Sequence, residues 1–201
     1  MNIQLDRCSG DPQYKAIRSR HYVPDKGTVG RSLPYLIKID GNVVGIIAGG
    51  SCASAVRARD IFFGLDLVNQ FDDYYAGEHG GMPRMRNEML GTIINNTIFR
   101  LEVTIPNLAS AVLSRWRRQV ITDWEEKYSE PVLGFETYVL ENEYRNGGCY
   151  IADNWVQVGR TSTDKIIYCK LNEDFFSQLD MCNYEVYDLF DEMRKRAHAD
   201  Y

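Results

Sequence analysis

His21 and Tyr22 are the first residues whose types and spacing could do chemistry. His21 is one of three histidines, with His79 and His198. An imidazole with an ordinary pKa of about 6.5 is the side chain best matched to proton transfer near neutral pH. Tyr22 could hydrogen-bond a ligand or stack on a planar ring, or the pair could pack at a sheet edge. Glu136, between Phe135 and Thr137-Tyr138, is a candidate base or orienting carboxylate; if buried it needs a partner. Cys149 has no His or Asp beside it in sequence to lower its pKa, so it reads as a small buried residue.

A second group of residues suits anions. Asn107-Leu108-Ala109-Ser110 follows Pro106 at the predicted start of a long helix, where free backbone N–H groups and the positive dipole end attract a phosphate. Asn107, Ala109 and Ser110 are therefore candidate cofactor contacts, and plain capping and packing is the alternative. Arg31 and Arg59 are candidate phosphate contacts. Between residues 84 and 118 lie Arg84, Arg86, Arg100, Arg115, Arg117 and Arg118 against Glu88 and Glu102, a possible local basic surface or a solvated helix face.

Leu33 to Gly50 reads as two strands joined by Asp40-Gly41-Asn42, since Asp-Gly supplies the positive φ angles of a tight hairpin. Asn69 to Asn87 reads as a long loop rich in Gly, Asp and Tyr. Thr97 to Ile105 alternates as a strand. The helix spans about Asn107 to Tyr128, with Ala109, Val112, Leu113, Trp116, Val120 and Trp124 recurring on one face. Val132 to Leu140 is the next strand. A short helix or turn follows at 149–155, then a strand at 156–162 continuing into 165–171, and an amphipathic acidic helix over about 183–197. This order predicts one mixed α/β domain with an N-terminal hairpin and a parallel strand-helix-strand crossover.

Length and charge bound the function. The 201 residues carry 23 Lys+Arg against 28 Asp+Glu, net −5. Eight acidic and three basic residues fall in 171–201, which leaves twenty of each sign in 1–170. The acidic balance therefore describes the tail and does not decide the partner of the main body. No window reaches the roughly 20 apolar residues of a membrane span, and the N-terminus has no apolar signal core, so the expected location is cytoplasmic. The five cysteines, 8, 52, 149, 169 and 182, are scattered and never spaced Cys-x-x-Cys, which argues against a disulfide scaffold or a structural zinc site.

Several blocks together resemble a known family. Asn95-Asn96-Thr97, Pro106 to Ser110, Asp123-Trp124, Glu136-Thr137, Cys149-Tyr150 and Asn154-Trp155 with Gly159, preceded by His21-Tyr22 and Ala58-Arg59-Asp60, are similar over residues 14–170 to the family of the DruA component of Druantia anti-phage systems. That family looks like a branch of the GNAT acyltransferase fold. A weaker resemblance, in order and a few residues, is to the Mom proteins of Mu-like phages, which modify the exocyclic amine of adenine in DNA.

The resemblance implies a group-transfer site acting on a DNA base. His21 and Tyr150 would be its proton handlers, with a carboxylate from Glu136 or Glu141, and Tyr22 or Tyr74 would stack a flipped base. Asn154 and Trp155 lie in the block that closes such sites, though Asn154 could simply satisfy a turn and Trp155 the core. Two departures stand out. The family usually ends the strand after the long helix with Asp, and this chain has Leu140 followed by Glu141. The glycine-rich Arg/Gln-x-x-Gly-x-Gly/Ala loop of ordinary GNAT proteins is missing, so an acyl-type donor is compatible but the cofactor stays open. The competing reading is a non-catalytic DNA- or RNA-binding component of a defence or mobile-element system. A third places Val186, Leu189, Phe190 and Met193 of the tail helix against a protein partner or a second copy of the chain.

Overall fold

The computed structural model describes residues 1–22, 30–66, 84–143, 145–174 and Lys195. The hairpin forms where Asp-Gly predicts it: β2 (Ser32–Ile39) and β3 (Asn42–Ser51) pair antiparallel, with φ +47° at Asp40 and +86° at Gly41. β1 (Ile3–Arg7) adds to the outer edge of β2. It is followed by α1 (Pro12–Arg18), which Asp11 caps by accepting from the N–H groups of Gln13 and Tyr14, with proline in the first turn.

Two more short helices, α2 (Arg57–Phe62) and α3 (Arg84–Gly91), precede β4 (Ile93–Leu101). Residues 84–87, expected in the loop, are thus helical, and the rest of that loop lies outside the described residues. β4 starts four residues before the expected Thr97. Asn95 and Asn96 are weak strand formers, but their pairing with Gly50 and Gly49 of β3 holds them in the ladder.

The long helix α4 (Leu108–Tyr128) buries Leu108, Val112, Leu113, Trp116, Val120 and Trp124. It leads to β5 (Gly134–Leu140), which lies parallel to β4, as the crossover requires. α5 (Gly148–Ala152) follows. The stretch expected as one continuous strand is instead a hairpin of β6 (Val156–Arg160) and β7 (Lys165–Leu171). Asp164 adopts φ +59° in the turn, a conformation Asp tolerates, so the chain reverses without a glycine. The acidic helix expected at 183–197 lies outside the described residues.

The sheet order is β1-β2-β3-β4-β5-β7-β6. Strand alternation sorts side chains onto two faces. Tyr35, Ile37, Ile47, Ile94, Phe135 and Tyr168 meet α4. Ile93, Ile167 and Cys169 meet α2 and α3, while Leu36, Ile46 and Ile98 meet α1. Among the described residues no helix is long and apolar enough to cross a membrane.

Burial pushes the Cys8 thiol up to about 12 and the Cys52 and Cys149 thiols up to about 11, and holds Cys169 well above its ordinary value. As pH rises past 9 the unfolded chain releases thiol protons that the folded chain retains, so this source of stability is present below pH 9 and lost towards pH 12. The urea midpoint followed by far-UV circular dichroism is expected to fall from pH 9 to pH 11. A midpoint that held or rose over that range would contradict it.

Candidate active-site cleft

β4 and β5 pair at Ile93–Gly134, Ile94–Phe135 and Asn95–Glu136, and their ladder ends there. A bulge parts them: opposite β3 the register jumps from Ile98 to Asn96 across Thr97, and an extra residue on one strand bends it away from its neighbour. The resulting notch holds a cleft of about 300 Å³. One wall is β4 from Asn96 to Phe99, the other is β5 from Thr137 to Val139, and residues 145–150 and the pair His21-Tyr22 close it.

At the floor, Tyr150 donates its phenolic hydrogen to Asn96 Oδ1 at 2.8 Å, and its ring stacks on Tyr168 with centroids 5.6 Å apart. Asn96 Nδ2 donates to the carbonyl oxygens of Ala48 and Ile98 at 3.2 and 3.3 Å. The Thr137 hydroxyl donates to the Asn96 carbonyl at 3.0 Å. Burial raises the Tyr150 phenol far above its ordinary range, so it is protonated at neutral pH. At the mouth, the His21 and Tyr22 rings lie 4.5 Å apart, and the Arg145 guanidinium sits 4.0 Å above the centre of Tyr22. Cys149 lines the cleft half-buried, not buried as the sequence reading has it, and burial of its thiol raises the pKa, which makes it a poor nucleophile.

The structure therefore brings His21, Tyr22 and Tyr150 together. The carboxylates are elsewhere. Glu136 is fully buried on the opposite sheet face from Thr137, with Arg59 Nη1 at 2.7 Å from its Oε2 and the Ala53 N–H at 3.2 Å from its Oε1. Burial pushes its carboxyl upward and Arg59 pulls it back. Glu141 is exposed and pairs with Arg160 at 2.5 Å, so it does not replace the family's Asp inside the cleft. Asn154 is an exposed turn residue with φ +59°, its carbonyl accepting from Lys170. Trp155 is core, as its sequence alternative has it.

The phosphate candidates are mostly engaged. Arg59 is corrected outright: it is fully buried and, besides Glu136, donates to Asp60 at 2.7 Å and to the Ala53 carbonyl at 2.6 Å, so it reaches no phosphate. Arg31 makes a bidentate pair with Glu130. Arg86 reaches Asp60 and the Ser54 carbonyl. Arg84 opens α3, and its side chain lies outside the described residues. Arg115 and Arg118 are exposed on α4.

The start of α4 stands apart from the cleft lining. Asn107 has φ +61° and makes no side-chain cap, and the Ser110 hydroxyl turns back to the Asn107 carbonyl at 3.1 Å; Ala109 is half-buried. The Ser110 hydroxyl is thus engaged within the turn, which carries no glycine. Among the described residues no group of three or more His, Cys, Asp or Glu is placed to hold a metal ion.

Asn96, Thr137 and Arg145 carry site geometry without having been assigned roles from sequence. The available signal was the pair Asn95-Asn96 inside the otherwise apolar TIINNTIF, where a buried amide needs partners. Gly147 is a further device: its φ is +74°, and a Cβ there would overlap the Tyr168 ring that backs Tyr150. Gly147→Ala is expected to destabilise the fold by about 1–3 kcal/mol and to displace Tyr150. Urea denaturation and the near-ultraviolet tyrosine signal check this; an unchanged midpoint and spectrum would refute it.

The family model described as Druantia protein DruA matches residues 4–182, most of the chain. The chain belongs to the Druantia protein DruA family. Its DruA match runs beyond the 14–170 span that the motifs cover. The DruA-family sheet is mixed, an antiparallel β1–β4 half joined through parallel β4 and β5 to the β7–β6 hairpin.

No curated protein matches this DruA-family sequence. Among solved structures it is similar to AAC(6')-Ib in complex with ribostamycin and coenzyme A, at 11% identity over 76% of this chain and 70% of that one, TM-score 0.44. Against the aminoglycoside acetyltransferase AAC(6')-Ib with coenzyme A and kanamycin the values are 12%, 74%, 70% and 0.44. Against a protein of Sphaerobacter thermophilus provisionally described as an acetyltransferase they are 12%, 85%, 94% and 0.43.

Proposed function

We propose that the cleft is a group-transfer site acting on the amine of a nucleic-acid base, DNA in the first instance. The observation that carries the reading is the convergence of His21, Tyr22 and Tyr150 on the notch between β4 and β5. The amine nitrogen bonds to the transferred group of an acyl-type donor while His21 takes the proton it loses; the bond from that group to the donor breaks, the donor's leaving group departs with the electron pair and is protonated from His21, and the Tyr150 oxygen accepts the amine's remaining N–H. The His21-Tyr22 pair under Arg145 offers a planar, cationic mouth for a flipped ring. Adenine, which the Mom resemblance suggests, is the first target to test.

The test is co-expression with a plasmid, followed by mass spectrometry of its digested nucleosides, wild type against Tyr150→Phe. A mass-shifted nucleoside made only by the wild type is expected. Unmodified nucleosides beside abundant folded protein would overturn the reading.

One observation favours a second reading, a nucleic-acid-binding component without catalysis: both candidate carboxylates are held in ion pairs outside the cleft. On that reading DNA affinity falls steeply with salt, Arg115→Ala and Arg118→Ala weaken it irrespective of sequence, and Tyr150→Phe leaves it intact.

A further inference from the structure

Resting on the base-amine reading above, we infer that Asn96 sets the hydrogen-bonding polarity of the cleft, so that its floor offers lone pairs only and selects a ligand that presents an N–H. The carbonyl oxygens of Ala48 and Ile98 only accept, so the Asn96 amide must turn Nδ2 towards them and Oδ1 towards Tyr150. An amide oxygen only accepts, so the phenolic hydrogen of Tyr150 must point at Asn96 and not into the cleft. The Thr137 hydroxyl likewise directs its hydrogen to the Asn96 carbonyl at 3.0 Å.

Two hydroxyls of the floor therefore give their hydrogens to the protein. What each retains for a ligand is oxygen lone pairs. A ligand carbonyl or ether oxygen brought to this floor meets lone pair against lone pair and loses the water that had solvated it, whereas an N–H finds an acceptor. Donors at the mouth, the Arg145 guanidinium above all, suit the acceptor atoms of the same ring. Asn96 acts here as a positioning residue: it fixes Tyr150 and touches the ligand only through it.

The experiment is isothermal titration of the full chain with N6-methyladenosine and with 6-methoxypurine riboside, which differ at the reacting position only in N–H against oxygen. The N–H ligand is expected to bind at least tenfold tighter. In Asn96→Leu the phenol is released to turn its hydrogen inward, and the preference is expected to vanish or reverse. Because that variant also loses two buried hydrogen bonds, Tyr150→Phe serves as the second variant: it removes the lone pair with the fold kept, and is expected to weaken the N–H ligand while leaving the methoxy ligand within about twofold. Equal binding of the two ligands to the wild type would overturn the polarity inference alone. Failure of both to bind would overturn the base-amine reading with it.

Discussion

Arg59→Met is expected to lower the stability of the protein by about 3–5 kcal/mol, since it leaves a buried carboxylate with no counter-charge. Both side chains of the pair have zero exposure, and Nη1 lies 2.7 Å from Glu136 Oε2. Arg59 also donates to the part-buried Ala53 carbonyl and to Asp60, so its removal costs those two bonds as well. Urea denaturation followed through tryptophan fluorescence measures this, because Trp116, Trp124 and Trp155 are buried. The double variant Arg59→Met with Glu136→Leu is expected to recover part of the loss, as apolar replacement of a buried pair often costs little. A single variant within 1 kcal/mol of wild type would show that the pair does not hold α2 to β5.

Tyr150→Phe is expected to reduce group transfer by about 10²-fold, because the phenolic oxygen that accepts from the reacting amine and holds it in place is lost. It is expected to cost about 1–3 kcal/mol of stability as well, because Asn96 Oδ1 is left buried without a donor. The two effects separate: at a temperature well below the transition the variant is folded, so a lost signal in the nucleoside assay reports the site. Full transfer activity in this variant would remove Tyr150 from the mechanism.

The elements that were legible in the sequence are those with strong local signals. α4 shows its large apolar residues at helical spacing, and the β2–β3 hairpin announces itself through Asp40-Gly41. β1, at five residues, and α2, at six, are too short for a period to show. The β6–β7 reversal was hidden because Asp164, not glycine, takes the left-handed conformation.

In the site, His21, Tyr22 and Tyr150 were legible as residue types and as motif members. Glu136 was misleading for a reason one chain position cannot reveal. Its partner Arg59 lies 77 residues away in sequence, and strand alternation, once Thr137 is fixed on the cleft side, turns its neighbour to the other face. Asn96 went unassigned because its importance lies in the direction of its amide, which depends on the Ala48 and Ile98 carbonyls.

The position of β7 between β5 and β6 has an electrostatic consequence. β7 runs antiparallel to β5, so it ends at the start of β5, where Asn172 bonds the backbone of Leu133 and, through its side chain, the Val132 carbonyl. The acidic tail is therefore rooted at one end of β5 and the cleft opens at the other, about six residues or 20 Å along the strand. That separation exceeds twice the screening length of about 8 Å at physiological salt. Glu173 and Asp174, the first acids of the tail, thus leave the potential at the cleft mouth to Arg145 and its neighbours.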